Sequence, residues 1–148
     1  MNAKKKIFIA IAVIIIAALL YGYKEYNRKN KDLVNATADI QMNAVELTAA
    51  FEKNEKEANG KFLDKIIAVN GKVKEINKDE KGYYTVVLGE DNNMSSVRCS
   101  MDPAHQQKAA SLEKNNVVAV KGMCTGFNAD ELLGSDVIFN RCVIQNKN

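Results

Sequence analysis

Residues 66–76, IIAVNGKVKEI, decide the fold of this chain because their apolar side chains recur at every second position. Ile67, Val69 and Val73 would share one face of a β-strand, with small or polar side chains between them. A second stretch, VVAVKGMC at 117–124, repeats the pattern, again with a glycine in its middle. Glycine inside a good strand is typical of the bulge or sharp coil that a small barrel needs. We therefore expect two bent strands in one sheet.

Three more strands are predicted by the same alternation of apolar and polar positions. They cover Tyr83–Leu88, Val97–Met101 and residues 137–144, and a loop around Phe127–Asp136 would precede the last of them. All five strands are short and separated by polar turns. This spacing favours a single small β domain.

Two helices are predicted from capping and stop signals. Asn43 followed by Glu46 is a capping-box-like start, and Asn59-Gly60 is a stop, so one amphipathic helix would cover residues 44–58. Pro103 opens a short polar helix, since proline is tolerated in the first turn.

The predicted order is strand, strand, strand, helix, strand, strand. That order is the layout of a five-stranded Greek-key barrel of the OB-fold type. The fold class is therefore mainly β with helices, an OB-fold barrel preceded by an amphipathic helix and an N-terminal transmembrane helix. A small open α+β sheet is the alternative architecture.

The chain resembles the tRNA_anti-like family of bacterial OB-fold proteins across about residues 43–145. The motifs that carry the resemblance are the helix with Asn54 and Ala58, then VNGKV, VRCSM, VAVKGMCTG and the terminal RCVI. The resemblance implies an OB-fold and a protein that is exported or anchored to a membrane or lipid. It implies no tRNA binding by itself, because a fold does not carry its function with it.

The N-terminus is predicted to be a membrane anchor. Residues 7–23 contain no charged side chain and follow the basic run Lys4–Lys6. No small-x-small cleavage site and no lipid-bearing cysteine follows, so we expect an uncleaved signal anchor and transmembrane helix over residues 1–26. Residues 27–42 are then a polar linker and residues 43–148 the OB-fold domain. The signal-like order favours a single-pass protein with this domain outside the cytoplasm, in the periplasm.

Charge is divided unequally along the 148 residues, whose net charge is +3. Residues 1–31 hold seven of the 21 Lys and Arg but only one of the 18 acids, so this segment is +6 and the remainder is −3. An acidic domain disfavours nucleic acid, because much of nucleic-acid affinity depends on basic charge.

A candidate ligand-binding surface follows from the way OB-folds bind oligonucleotides and oligosaccharides. They use the outer face of their second and third strands together with two flanking loops. Those two strands would present Tyr83 and Arg98. The other candidate contacts are Lys72 and Lys74, nearby on the first strand, and Phe127 in the long loop. We expect a protein, peptide or glycan partner in the cell envelope, with the membrane contacted by residues 7–23. Nucleic acid is the alternative partner.

The three cysteines fall on three predicted strands, each in phase with apolar neighbours. A hairpin centred near residue 133 would set Cys124 opposite Cys142, and an oxidising compartment would allow a disulfide between them. Three buried free thiols are the alternative. Cys99 should lie in the core in either case.

No catalytic residue, metal site or cofactor is predicted. His105, the only histidine, lies in a polar stretch, and the three separated cysteines do not form the close pairs of a zinc site. The chain lacks a phosphate loop, a dinucleotide fingerprint and the common nucleophile motifs. We therefore expect a binding or scaffolding module rather than an enzyme.

Overall fold

The structure is a computed structural model that describes residues 3–26, 32–130, 132 and 134–145, without the side chains of 3–10 and 24–26. The chain divides into two compact units, Met1–Lys31 and Asp32–Asn148. The first contains helix α1, Ala3–Tyr26, and its side chains from residue 11 to residue 23 are exposed. Within the described part of the chain, no helix combines the length and the hydropathy of a membrane span. The transmembrane helix predicted over residues 7–23 is therefore not supported.

The second unit is built from six strands, two α-helices and one 3-10 helix in its described part. In chain order they are β1 Ile40–Asn43, α2 Ala44–Lys53, α3 Glu55–Phe62, β2 Ile66–Lys78, β3 Tyr84–Leu88, β4 Ser96–Met101, the 3-10 helix Gln106–Ser111, β5 Val117–Asn128 and β6 Asp136–Ile144. The helix expected after Pro103 is thus a 3-10 helix that begins three residues later. The predicted order of five strands and one helix is confirmed.

Strands β2 to β6 close into a barrel. The sheet order is β1-β2-β3-β4-β6-β5, and β2 pairs again with β5 from Ile66↔Met123 to Lys72↔Val117. Strands β4 and β6 run parallel, whereas the other pairs inside the barrel are antiparallel. The pairing of β2 with β5 excludes the open sheet and confirms the OB-fold.

Strand β2 changes partners along its length, and Gly71 lies just before the change. Its first half pairs with β5 and its second half with β3, with an irregular register between Val73 and Glu75. A Cβ at Gly71 would lie 2.9 Å from the Cβ of Ala44 and 3.1 Å from the Cβ of Leu88. The glycine therefore lets the start of α2 and the end of β3 approach β2 closely.

The single helix predicted over residues 44–58 is wrong, because two helices meet at Asn54. Asn43 caps α2 as expected, accepting from Val45 N–H. Asn54 then leaves the helical conformation (φ −161°, ψ 92°), and its side chain accepts from Glu57 N–H at 3.2 Å. An asparagine that caps a new helix in this way stops the previous one. Helix α3 continues past Asn59-Gly60 because Phe62 packs into the core.

Much of the predicted linker belongs to the barrel unit. Leu33 and Ala36 are buried against Ile66 and Val143 in a small second apolar cluster. The next residues form β1, which pairs parallel with β2 from Ile40↔Ile67 to Asn43↔Asn70. The compact unit therefore begins at Asp32 rather than at Asn43. Residues 27–31 of the predicted linker lie outside the described residues.

Phe127 lies on a strand and not in the predicted loop. Strand β5 continues to Asn128, so the connection to β6 is only residues 129–135. The Phe127 ring stacks on Phe51 of α2, with 5.0 Å between the ring centroids. Because the β5–β6 pair is longer than predicted, Phe127, which was expected to contact a ligand, packs at the edge of the core.

Candidate binding site on the outer face of β3 and β4

The strands β3 and β4 separate a dry inner face from a partly exposed outer face. The inner side chains Val86, Leu88, Val97 and Cys99 are fully buried, as the alternation predicts. The register sets Thr85 opposite Ser100 and Val87 opposite Arg98. We call the outer β3–β4 face the surface formed by Tyr83, Thr85, Arg98 and Ser100, since these side chains alternate with the inner ones and keep some exposure.

Arg98 carries the positive charge of this face, and Asp136 neutralises it. The Arg98 Nε donates to Asp136 Oδ2 at 2.5 Å. The Asp136 side chain is 18% exposed, against 42% for Arg98, and it also accepts from the Ser96 hydroxyl. Because the carboxylate lies beside the guanidinium, the face presents a fixed polar pair with little net charge.

Tyr83 lies at the end of the face, on a turn that Asp79 holds in place. The Asp79 carboxylate accepts from the backbone N–H groups of Lys81 and Tyr83, at 2.9 and 2.8 Å. Tyr83 is 45% exposed, so its ring is available to a ligand. The turn also exposes Glu80, together with Lys78 and Lys81, so acids and bases balance at this end of the face.

Lys72 and Lys74 do not lie on the outer β3–β4 face, because the Nζ of each binds the loop between β3 and β4. Lys72 Nζ pairs with Asp91 at 3.3 Å, and Lys114 pairs with the same carboxylate at 3.2 Å. Hydrogen bonds from Lys114 and, less strongly, from Lys72 lower the pKa of Asp91. Lys74 Nζ donates to the carbonyl of Asn93 at 2.6 Å.

Two of the five predicted contacts, Tyr83 and Arg98, therefore lie on one face. Arg98 is opposite Val87, four positions along β3 from Tyr83, which corresponds to about 13 Å of strand. Sequence reasoning missed Asp136, which modifies this face most. The sequence predicts it only as the end of the loop around Phe127–Asp136, whereas the parallel pairing Ser96↔Asp136 brings it beside Arg98.

The cysteines do not form the predicted pair. All three thiols are free and buried, and Cys124 lies opposite Phe139 rather than opposite Cys142. Two register irregularities in β5, at Lys121/Met123 and Cys124/Gly126, account for the displacement. The thiol of Cys142 instead lies next to that of Cys99, which adds to the rise of the Cys142 pKa.

Both thiols on β5 and β6 are held in their neutral form. Burial raises the pKa of Cys124 to about 11. Burial also raises the pKa of Cys142 well above its usual range, and the neighbouring Cys99 thiol adds to this. Neither cysteine therefore has the thiolate character that a nucleophile needs. Among the residues with described positions, no three His, Cys, Asp or Glu side chains cluster as a metal site would require.

The closed barrel, with its helix between the third and fourth barrel strands, defines an OB-fold protein. The model of the tRNA_anti-like family matches residues 1–142, which is almost the whole chain. The chain belongs to the tRNA_anti-like family. The match confirms the resemblance seen in the sequence and extends it to the N-terminus.

Two solved structures are similar to the chain at low sequence identity, and no curated protein matches the chain. One is a "putative nucleic acid-binding lipoprotein" from Klebsiella pneumoniae subsp. pneumoniae, 14% identical, with a TM-score of 0.56 over 80% of this chain and 100% of that one. Another is a "putative aspartyl-tRNA synthetase" from Leishmania major, 12% identical, with a TM-score of 0.45 over 86% of this chain and 25% of that one. The first of these similarities supports the OB-fold.

Proposed function

We propose that this protein is a non-catalytic binding module of the cell envelope that recognises an uncharged polar partner on the outer β3–β4 face. The ion pair between Arg98 and Asp136 carries the proposal. A lone arginine would attract phosphate, whereas a guanidinium already paired with a carboxylate offers donors and acceptors together and little net attraction for an anion.

A glycan chain is the partner that fits this face best. Sugar hydroxyls are both donors and acceptors, and they match the Arg98–Asp136 pair and the hydroxyls of Thr85 and Ser100. The exposed ring of Tyr83 offers the flat apolar surface on which a sugar ring can pack. OB-fold faces of this kind take oligosaccharides as well as oligonucleotides. A peptide is the alternative uncharged partner.

The state of the thiols supports a role without catalysis. Cys124 and Cys142 are buried and protonated at neutral pH, so they are poor nucleophiles. His105 pairs with Asp32 at 3.3 Å and is not among the side chains of the outer β3–β4 face. That face brings no general base next to an activated nucleophile, and binding is the chemistry that its residues can perform.

We further propose that residues 7–23 attach the protein to a membrane, with the barrel outside the cytoplasm. Support comes from the uncharged sequence of this stretch and from apolar side chains such as Ile14 and Leu19, each 67% exposed. Such a surface is costly in water.

Two experiments test attachment and location. The full chain should stay in the membrane pellet after alkaline carbonate extraction, and a variant lacking residues 1–31 should be released. Protease digestion of intact spheroplasts should remove a C-terminal tag. Release of the full chain by carbonate would contradict attachment to the membrane. Protection of the tag from the protease would contradict a location outside the cytoplasm.

Single-stranded nucleic acid is the second candidate partner. An exposed aromatic ring and an arginine on one OB-fold face are what base stacking and a phosphate contact require. The words "nucleic acid-binding" in the description of the Klebsiella protein point in the same direction. The carboxylates of Asp79 and Asp136 oppose it, because each lies beside one of these two residues.

Binding titrations with the full chain in non-ionic detergent would separate the two candidates. The probes are fluorescein-labelled tetra-N-acetylglucosamine and fluorescein-labelled dT12, measured by anisotropy at low and moderate salt. We expect salt-insensitive glycan binding that Tyr83→Ala weakens about fivefold, since an aromatic contact contributes about 1 kcal/mol. The matched variant Tyr83→Phe should bind as the parent does.

The nucleic-acid candidate makes opposite predictions. It requires salt-sensitive dT12 binding that Arg98→Ala abolishes and that Asp136→Asn strengthens, because the second change frees the guanidinium. Lys81→Ala removes an exposed charge outside the face and serves as the control. Binding of dT12 with this pattern would replace the glycan proposal. Binding of neither probe, or glycan binding that Tyr83→Ala leaves unchanged, would remove the glycan assignment.

A further inference from the structure

A lysine lies buried under residues 32–36, on a different part of the barrel from the outer β3–β4 face. Lys121 points outward from β5, yet it is only 5% exposed. Its Nζ donates to the carbonyls of Val34 and Ala36, at 3.0 and 2.7 Å. An ammonium group has three N–H donors, so one remains after these two bonds.

No carboxylate of the described residues lies within ion-pair distance of Lys121. Asp32, whose charge interacts with Lys121 from further away, is occupied elsewhere. Its pKa is lowered first by the hydrogen bond from Val34 N–H, and its carboxylate contacts His105 Nε2 at 3.3 Å. Buried charges in proteins are normally paired, since an isolated one is expensive to desolvate. Two neutral carbonyls do not supply the missing negative charge.

The lysine lines a cavity of about 420 Å³ between residues 32–36, the 3-10 helix region and the end of β6. The polar side chains around it are His105, Gln107, Lys108, Lys121 and Gln145. In the described part of the chain, no side-chain hydrogen bond engages the amides of Gln107 and Gln145. Val143 and Ile144 add an apolar wall, so the cavity combines unused donors, positive charge and apolar surface.

We propose that this cavity is a binding site for a small organic oxyanion, a carboxylate or a phosphate monoester. The oxygens of the anion accept from Lys121 and from the amides of Gln107 and Gln145, and the organic part lies against Val143 and Ile144. The volume is larger than a bare inorganic anion needs and lies within the range of small-molecule sites. The site is independent of the proposed glycan face, because it shares no residue with it.

Isothermal titration of the full chain in non-ionic detergent tests the proposal. The probes are benzoate, phenyl phosphate and benzamide, which is the uncharged counterpart of benzoate. We expect benzoate or phenyl phosphate to bind with a dissociation constant on the order of 1 mM, as for other ligands of this size, and benzamide at least tenfold more weakly. Comparison of the two anions identifies carboxylate or phosphate as the preferred group.

Variants locate the binding. Gln145→Leu should weaken the preferred anion about tenfold, the value of one charge-assisted hydrogen bond, and Gln107→Leu should act in the same direction. Lys121→Met should abolish binding. Gln41→Leu, on the exposed side of β1, is the control and should change nothing. If Lys121→Met does not fold, the glutamine variants decide. Equal binding of benzoate and benzamide, or unchanged anion affinity in both glutamine variants, would overturn the proposal.

Discussion

Gly122 is the position where the addition of one methyl group should damage the barrel most specifically. An alanine Cβ there would lie 2.5 Å from Cys142 Sγ and 3.2 Å from Phe139 Cδ2. Real Cβ atoms essentially never come as close as the first of these distances, so the thiol or the strand must move. Gly126, on the same strand, has open space around the equivalent position. The pair therefore separates steric crowding from the general effect of replacing glycine.

The size of the effect follows from two opposing terms. Overpacking of a dense core typically costs 1–3 kcal/mol, whereas Gly→Ala in open space stabilises by about 0.4–1 kcal/mol through the unfolded chain. Gly122→Ala should therefore lower the free energy of unfolding by about 1–2 kcal/mol. Gly126→Ala should leave it unchanged or raise it slightly. Because the contact is with Cys142 Sγ, removal of that sulfur in Gly122→Ala/Cys142→Ala should recover about 1 kcal/mol of the loss.

Urea unfolding of the full chain is followed by far-UV circular dichroism at fixed detergent. It measures Gly126→Ala and a double-mutant cycle made of the parent, Gly122→Ala, Cys142→Ala and Gly122→Ala/Cys142→Ala. The coupling energy between positions 122 and 142 is the deciding quantity. A coupling below about 0.5 kcal/mol would mean that Cys142 does not lie under Gly122. Equal changes in the free energy of unfolding for Gly122→Ala and Gly126→Ala would likewise contradict the close packing of Gly122 on β5 against Cys142 on β6.

Three further predictions concern single groups. Asn54→Ala should cost about 1 kcal/mol in urea unfolding because it removes the N-cap of α3, whereas Asn54→Asp should keep most of the stability. The pKa of Cys124 is raised from 9.0 to about 11, so unfolding exposes a stronger acid. Stability should therefore fall between about pH 9 and pH 11, by up to about 3 kcal/mol relative to Cys124→Ala. An equal alkaline slope in the parent and in Cys124→Ala would contradict this. Carboxyl NMR titration should show the lowered pKa of Asp91 returning toward its usual value more in Lys114→Ala than in Lys72→Ala. The reverse order would refute the assignment of Lys114 as the main partner.

The barrel could be predicted because its evidence is local. The inward positions of β2, β3 and β4, such as Val69, Val86 and Val97, are buried as the period of two requires. The position of the helix between Met101 and Val117 then restricts the topology, since few β folds have one helix at that place. Neither inference depends on the pairing of the strands.

The pairing of the cysteines could not be predicted, because register depends on features that alternation does not contain. A shift of one residue changes every cross-strand partner, and each bulge adds such a shift. The predicted hairpin placed Cys142 opposite Cys124, whereas the observed register places Phe139 there. All three cysteines were nevertheless predicted to lie in the core, because the inward phase of each follows from its own strand.

The buried lysine was missed for a different reason. By alternation Lys121 lies on the outside of β5, and an outward lysine is normally solvated. It is covered by residues 32–36, which are more than 80 positions away in sequence and were interpreted as a polar linker. The adjacent apolar residues Leu33 and Val34 were the available indication. A short apolar pair in a polar segment does not show which surface it will cover.

The segments outside the barrel also explain why the outer β3–β4 face is the part left for a ligand. Residues 32–36 cover the outside of β2, β5 and β6 around Ile66 and Val143, and β1 lies along β2. Helix α2 inserts Leu47 and Phe51 into the core. On the outer β3–β4 face Val87 is buried, whereas Thr85, Arg98 and Ser100 stay half-exposed. We proposed polar recognition for this face because its arginine is held by a carboxylate, since hydrophobic packing and phosphate attraction would each require a different set of residues.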